Sequence, residues 1–257
     1  MLAGKKVLIT GIANDSSIAF ATAAKAREHG AELMIAAYPR DFDVVSEISS
    51  QHFGSAPVVG ADLTDPTSLE SLSDRIRDEF GELDAALHAV AFAPKQALGG
   101  DIFDAPPEVL DIAFQTSAVS YASLGRILRD LNRSGSGSLV GLDFDASGAW
   151  PVYNWMGVCK SALESTSRYL ARDLGPAGIR SNLVAAGPLH TRAADAIPGF
   201  ERLLEAWRNQ APMEWNEADA EQVADPVCFL LSDHSRAITG EILHVDGGYH
   251  AMASALR

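Results

Sequence analysis

From Lys6 onward, short and continuously apolar runs alternate with longer stretches of helical character, and this alternation persists almost to the C-terminus. The apolar runs read KVLIT, ELMIAAY, APVVGAD, LDAALHAV, GSLVGLDF, IRSNLVAA and EILHVDGG. Helical stretches follow them from Ser17 to about His29, around Val44–Phe53, over Pro66–Phe80, up to Leu131, and through the segment carrying Tyr153 and Lys160. In Pro66–Phe80 the apolar residues Leu69, Leu72, Ile76 and Phe80 recur at helix spacing. Strands that are apolar throughout, rather than alternating, must be covered on both faces. Repeated strand–helix–strand units demand a parallel sheet with right-handed crossovers. The pattern therefore predicts an α/β chain: a doubly wound parallel sheet of about seven strands with helices on both faces. With 257 residues and 47% hydrophobic content the chain can bury one large core. Ser134–Ser138 is too short for a linker, so residues 1–257 read as a single domain.

Charge and composition remove several function classes. The formal net charge of −14 argues against nucleic acid and anionic membranes as partners. No apolar run approaches the ~20 residues of a membrane span. MLAGKKVLITG reads as the start of a strand rather than a signal peptide. Cys159 and Cys228 both fall in helical patterns and imply no disulfide framework, which fits a reducing cytoplasm. The histidines are scattered without metal-ligand spacing, so no metal site is expected. G-x-S-x-G and P-loop motifs are both missing. His88, inside an apolar strand, reads as a hydrogen-bonded core histidine.

In an open parallel sheet the turn after the first strand meets a helix N-terminus, where a dinucleotide pyrophosphate binds in Rossmann-type folds. Here that turn runs from Gly11 to Ser17-Ile18-Ala19 and lacks the usual G-x-G-x-x-G. Gly11 can supply the tight turn, Ser17 a cap and a hydroxyl, and Ala19 close packing. The same residues also suit an ordinary capped turn. Asp62, at the tip of the third strand with Leu63 beside it, offers a carboxylate to an adenine amino group. Asp65, directly before Pro66, is the better helix cap. At the tip of the second strand Tyr38 can lie on an adenine, while Arg40 could meet a 2′-phosphate. The reading favours NADH over NADPH.

YNWMGVCK places Tyr153 seven positions before Lys160. On a helix seven steps make about 700°, so phenol and ammonium share one face roughly 10 Å apart. The pair could divide two tasks, one on a substrate and one on a cofactor, or be a coincidence of two common residues.

Taken together, Gly11-x5-Ser17-x-Ala19, Tyr153-x6-Lys160, AAGPLHT and the closing HVDGG resemble the enoyl-acyl-carrier-protein reductases, a divergent branch of the short-chain dehydrogenases. The resemblance spans essentially the whole chain. From Gly141 to Pro188 it is closest to the actinobacterial enzymes of the long-chain, mycolic-acid type. The commoner short-chain dehydrogenases carry lysine four residues after the tyrosine, where this chain has Gly157. The resemblance implies a cytoplasmic NADH-dependent homotetramer of fatty-acid biosynthesis that reduces the trans-2 double bond of an enoyl thioester. It implies that Tyr153 stabilises the thioester oxygen, Lys160 holds the nicotinamide ribose, and Phe144 shapes the wall beside the nicotinamide. Val90, Leu189 and Thr191 would complete the cofactor contacts begun by Gly11, Ser17, Ile18, Tyr38, Asp62 and Leu63. Ala91, Phe92, Tyr153, Met156, Ala193, Ile197, Phe200 and Leu203 would border the acyl slot, with Thr191–Gln210 as a mobile substrate loop. That loop is shorter than in the mycolic-acid enzymes, which suggests a shorter acyl chain.

Three departures from the family pattern stand out. Ala89-Val90-Ala91-Phe92 replaces a serine-isoleucine-glycine-phenylalanine run, His190 replaces an arginine, and Pro198 and Glu201 take positions where bacterial relatives are basic, leaving Arg202. The lost basic patch leaves coenzyme A open beside acyl carrier protein as the thioester carrier. A reductase of another carbonyl or activated alkene, and a nucleotide-sensing binding protein, are the competing readings. Ala91 stands where the family has a glycine against which diaryl ethers such as triclosan stack, so the resemblance implies reduced sensitivity to them.

Overall fold

The computed structural model describes residues 1–254. Seven parallel strands form one sheet: β1 (Lys6–Thr10), β2 (Glu32–Ala37), β3 (Val58–Gly60), β4 (Ala85–His88), β5 (Gly137–Asp143), β6 (Ile179–Ala186) and β7 (Ile242–Val245). Their order is β3-β2-β1-β4-β5-β6-β7 and every pairing is parallel, as the apolar alternation predicts. Side chains alternate between the two covered faces. Val7, Ile9, Ile35 and Leu87 pack with α1 (Ile18–Glu28), α2 (Phe42–His52) and, further along the chain, residues 221–231. Leu8, Met34, Ala86 and Leu139 pack on the opposite face against α3 (Pro66–Phe80) and residues 120–131 and 163–174.

Local chemistry sets the helix ends. Ser17 caps α1, its hydroxyl accepting from the Phe20 amide at 3.2 Å. Asp65 caps α3 by accepting from Thr67 and Ser68, with Pro66 at the first helical position, as expected. Gly81 ends α3 at φ 76°, a conformation open to glycine.

The helical run ending at Leu131 is interrupted. It consists of α4 (Pro107–Phe114), a π turn at Gln115–Val119 and α5 (Ser120–Leu131). After β5 comes α6 (Asn154–Leu174). The expected substrate loop is folded into two short helices, α7 (Arg192–Asp195) and α8 (Glu201–Gln210). α9 (Glu221–Leu231) and a 3₁₀ turn at Tyr249–Ala251 follow among the described residues. Among the described residues no helix is long and apolar enough to cross a membrane.

Candidate active site

The strand order reverses between β1 and β4, and in open parallel sheets ligands bind at such a switch point, beyond the carboxyl ends of the strands. A cavity of about 720 Å³ opens there. It is lined by nearly every residue singled out in the sequence: Gly11, Ser17, Ile18, Tyr38, Asp62, Leu63, Val90, Ala91, Phe92, Phe144, Tyr153, Met156, Lys160, Leu189, Thr191, Ala193, Ile197, Phe200 and Leu203.

At one end the backbone comes unusually close. Gly11 has φ 87°, and a Cβ there would lie 2.0 Å from the Ala89 carbonyl oxygen. The first βα turn can thus follow the sheet edge only because residue 11 has no side chain. Tyr38 is half exposed, and the Arg40 guanidinium lies 5.2 Å from its ring centre and 3.5 Å from Asp41. Arg40 is therefore turned onto a neighbouring ring and carboxylate. Asp62 lies two residues beyond β3 rather than at its tip, and its carboxylate accepts from the Thr64 amide (2.9 Å) and hydroxyl (2.7 Å). Val90 likewise lies two residues past β4. Thr191 caps α7, its hydroxyl accepting from Ala194 at 3.2 Å, and Arg192 reaches across to Asp41 at 3.2 Å.

Tyr153 and Lys160 both line the cavity, with one correction to the sequence reading. Tyr153 is not on the helix but at the position before its first residue, with φ −98° and ψ −29°. Those angles are still right-handed. Its neighbours are unusual: Val152 has φ 63° and Asn154 φ 37°. A β-branched residue in the left-handed region costs about 1–3 kcal/mol and persists only where surroundings impose it. Asn154 supplies part of that constraint by donating to the carbonyls of Gly99 (2.6 Å) and Gly100 (3.2 Å).

The Tyr153 ring packs 5.1 Å from Phe144. Burial first, and then the Asp143 carboxylate, push its phenol well above the ordinary value, so it remains a neutral donor. Lys160 is buried and donates to the Leu142 carbonyl at 2.8 Å. Burial lowers its pKa, and Asp143 works against that shift.

Asp143 was not singled out in the sequence. It ends β5, and both its oxygens are buried without a hydrogen-bond partner. Burial pushes its carboxyl up to about 7, against the pull of Lys160. The nearby His88 is fully buried, with Nε2 2.8 Å from the Ser120 hydroxyl and Nδ1 unpartnered, and is held down to about 3 by burial and by Lys160. His88 is the core histidine the sequence suggests, though only half satisfied. Asp143 Oδ1, Asp143 Oδ2 and His88 Nδ1 are the orphaned buried side-chain atoms among the described residues. Both groups feel the charge of the Lys160 ammonium.

A stability prediction follows from Asp143. Its folded pKa of about 7 lies above the unfolded value, so between the two the folded state holds the extra proton. Stability is then highest at low pH within this window and falls as pH rises toward 7, by at most ~1.4 kcal/mol per pH unit for one group. Asp143→Asn should flatten this slope. A thermal-melting series over the same pH range checks it; parallel slopes for both proteins would refute it.

The other end of the cavity is apolar. Tyr153 and Met156 form one buried cluster and Phe200 and Leu203 another, with Phe144 and Ile197 packed against both. Ala91, Phe92 and Ala193 are exposed at its mouth. Among the described residues no group of metal-binding side chains converges.

Residues 11–250 match the family model described as Enoyl-(Acyl carrier protein) reductase. The chain belongs to this family. It is 43% identical to the enoyl-[acyl-carrier-protein] reductase [NADH] of Mycolicibacterium smegmatis, over 96% of this chain and 97% of that one. The corresponding Mycobacterium avium protein is 42% identical over 96% and 97%. The Aquifex aeolicus enoyl-[acyl-carrier-protein] reductase [NADH] FabI is 40% identical over 98% and 93%. Tyr153 and Lys160 both lie in the cavity at the switch point. The residues suit a dinucleotide. The side-chain-free approach at Gly11, the capped N-terminus at Ser17 and the buried Lys160 ammonium lie in one continuous cavity.

Proposed function

We propose that this protein is an NADH-dependent enoyl-thioester reductase of fatty-acid synthesis. The observation that carries the reading is that Tyr153 and Lys160 both line the cavity at the switch point, in a chain of this family. Bound NADH supplies the hydride that adds to the β-carbon of a trans-2-enoyl thioester. Negative charge then develops on the thioester oxygen, and the enolate takes a proton from solvent at its α-carbon to give the saturated thioester. Tyr153, a neutral phenol held inward by its strained flanks, donates to that oxygen where the charge appears. Lys160 holds the nicotinamide ribose and adds positive potential beneath it. Phe144 walls the reacting face and limits access of water. Gly11, Ser17, Ile18, Tyr38, Asp62, Leu63, Val90, Leu189 and Thr191 bind the rest of the dinucleotide. Arg40 lies against Tyr38 and Asp41, an arrangement in keeping with NADH. Steady-state oxidation of NADH on addition of crotonyl-coenzyme A tests the reading; simple ketones should give none. Ketone reduction without enoyl reduction would favour a carbonyl reductase.

The substrate is an enoyl chain on acyl carrier protein, and the protein works in the cytoplasm as a homotetramer. Supporting the assembly, Phe114 on α4 and Tyr169 on α6 are both exposed beside a shallow apolar groove lined by Ala122, Ala162 and Leu170. Symmetric assemblies cover such faces. Light scattering should give four times the chain mass; a concentration-independent monomer would contradict it. At the cavity mouth Ala91→Gly should raise diaryl-ether affinity by roughly tenfold, with little change in turnover. Equal inhibition of both forms would remove any role for the Ala91 methyl.

A further inference from the structure

The acyl end of the cavity is backed by aromatic rings that do not themselves line it. Phe144 and Leu203 both line it. Behind Phe144 stand Trp150, with ring centres 5.1 Å apart, and Trp207, 5.6 Å away. Trp150 in turn meets Trp207 at 5.2 Å and Tyr249 at 5.4 Å, while Trp207 and Tyr249 stack at 3.8 Å with planes 10° apart. The rings come from three separate places: the segment before Tyr153, helix α8, and the 3₁₀ turn at Tyr249–Ala251.

Each is pinned. The Trp150 indole donates to the Asp145 carbonyl, and the Trp207 indole donates to the Asp246 carbonyl at 3.0 Å. The Asp246 carboxylate accepts from the amides of Gly248 (2.9 Å) and His250 (2.8 Å), which fixes the turn carrying Tyr249. Gly187 lets Trp207 sit close to the backbone, since a Cβ there would lie 2.8 Å from its Nε1. Close-packed aromatics of this kind yield little to an added methylene. Flexible residues such as Met156 and Ile197 can adjust along the sides of the slot; its far end cannot.

We infer that Trp150, Trp207 and Tyr249 form a rigid end wall behind Phe144 that confines the slot to short enoyl chains. Trp150 is the specificity-determining residue, because it touches Phe144 on one side and both other rings on the other. This rests on the enoyl-reductase reading above and adds to it the class of acyl chain. A long chain would have to turn back toward the mouth between Phe92 and Ala193.

The test is kcat/KM with crotonyl-, 2-octenoyl- and 2-dodecenoyl-coenzyme A for the wild type and for Trp150→Ala, Trp150→Phe and Tyr249→Ala. The wild type should lose at least about tenfold between octenoyl and dodecenoyl chains. Trp150→Ala should raise the dodecenoyl-to-crotonyl ratio by about the same factor, Tyr249→Ala by less, and Trp150→Phe should leave it near the wild-type value. General loss of structure would lower all three substrates together and leave the ratio alone. A wild-type profile that is flat or rises with chain length overturns the end wall whether or not the variants fold. So does a folded Trp150→Ala that binds NADH normally and keeps the wild-type ratio. No turnover of any of the three chains would instead contradict the reductase reading.

Discussion

Tyr153→Phe should lower kcat by on the order of 10²–10³, the effect of removing one donor to a developing oxyanion. NADH affinity should be nearly unchanged. The substitution removes only the hydroxyl; the ring keeps its contact with Phe144. Because burial and Asp143 keep the phenol protonated, its contribution is a hydrogen bond rather than a charge, and it is greatest where negative charge builds. Lys160→Ala should do the reverse, weakening NADH binding directly. Fluorescence titration of NADH, set beside steady-state kinetics for both variants, separates the two roles. If Tyr153→Phe kept full turnover and Lys160→Ala kept full NADH affinity, the division of labour would be wrong.

Gly11→Ala should be severely damaging to NADH binding. A Cβ at position 11 would lie 2.0 Å from the Ala89 carbonyl oxygen and 2.6 Å from its carbon, both backbone atoms of the neighbouring strand end. No rotamer relieves such a contact. At φ 87° an L-residue is also strained, by about 1–2 kcal/mol. Either β1 and β4 separate at their carboxyl ends or the turn refolds, and both outcomes spoil the pyrophosphate cradle. The expected result is NADH affinity reduced by at least about a hundredfold, or a fall of several degrees in melting temperature where the turn gives way. Wild-type melting together with wild-type NADH affinity would show that the close approach is not needed.

Much of the fold was legible because each strand and its following helix announce themselves locally. Continuous apolar runs marked all seven strands, and Ser17 and Asp65 marked two helix starts by their capping chemistry. What escaped the sequence is imposed by contacts distant along the chain. Tyr153 looks helical by spacing, yet Asn154 is held by carbonyls at Gly99 and Gly100, which turn Val152 and Asn154 to positive φ and draw the tyrosine off the helix end. The π turn at Gln115–Val119 interrupts what reads as unbroken helix, and no residue in QTSAV signals it.

The candidate site was legible as a set of residue types, mostly through family resemblance. Its electrostatics were not. Asp143 in LDFD reads as the polar end of a strand; only the fold shows that it is sealed beside Lys160 with neither oxygen paired. A signal was present, since a carboxylate closing an otherwise apolar run has to be reconciled with its burial. Trp150 and Trp207 lie far apart in the sequence, yet their rings meet in the fold, and Tyr249 joins them from the 3₁₀ turn at Tyr249–Ala251.

The central claim is hydride addition to the β-carbon of an enoyl thioester, with Tyr153 bearing on the oxygen. It is tested most directly by reducing crotonyl-coenzyme A with NADH deuterated at the transferred position and locating the label by NMR. The account predicts butyryl-coenzyme A carrying deuterium on the β-carbon, formed far more slowly by Tyr153→Phe. Deuterium on a carbon bearing a new hydroxyl, with the double bond intact, would contradict it, as would oxidation of NADH with no label in the thioester.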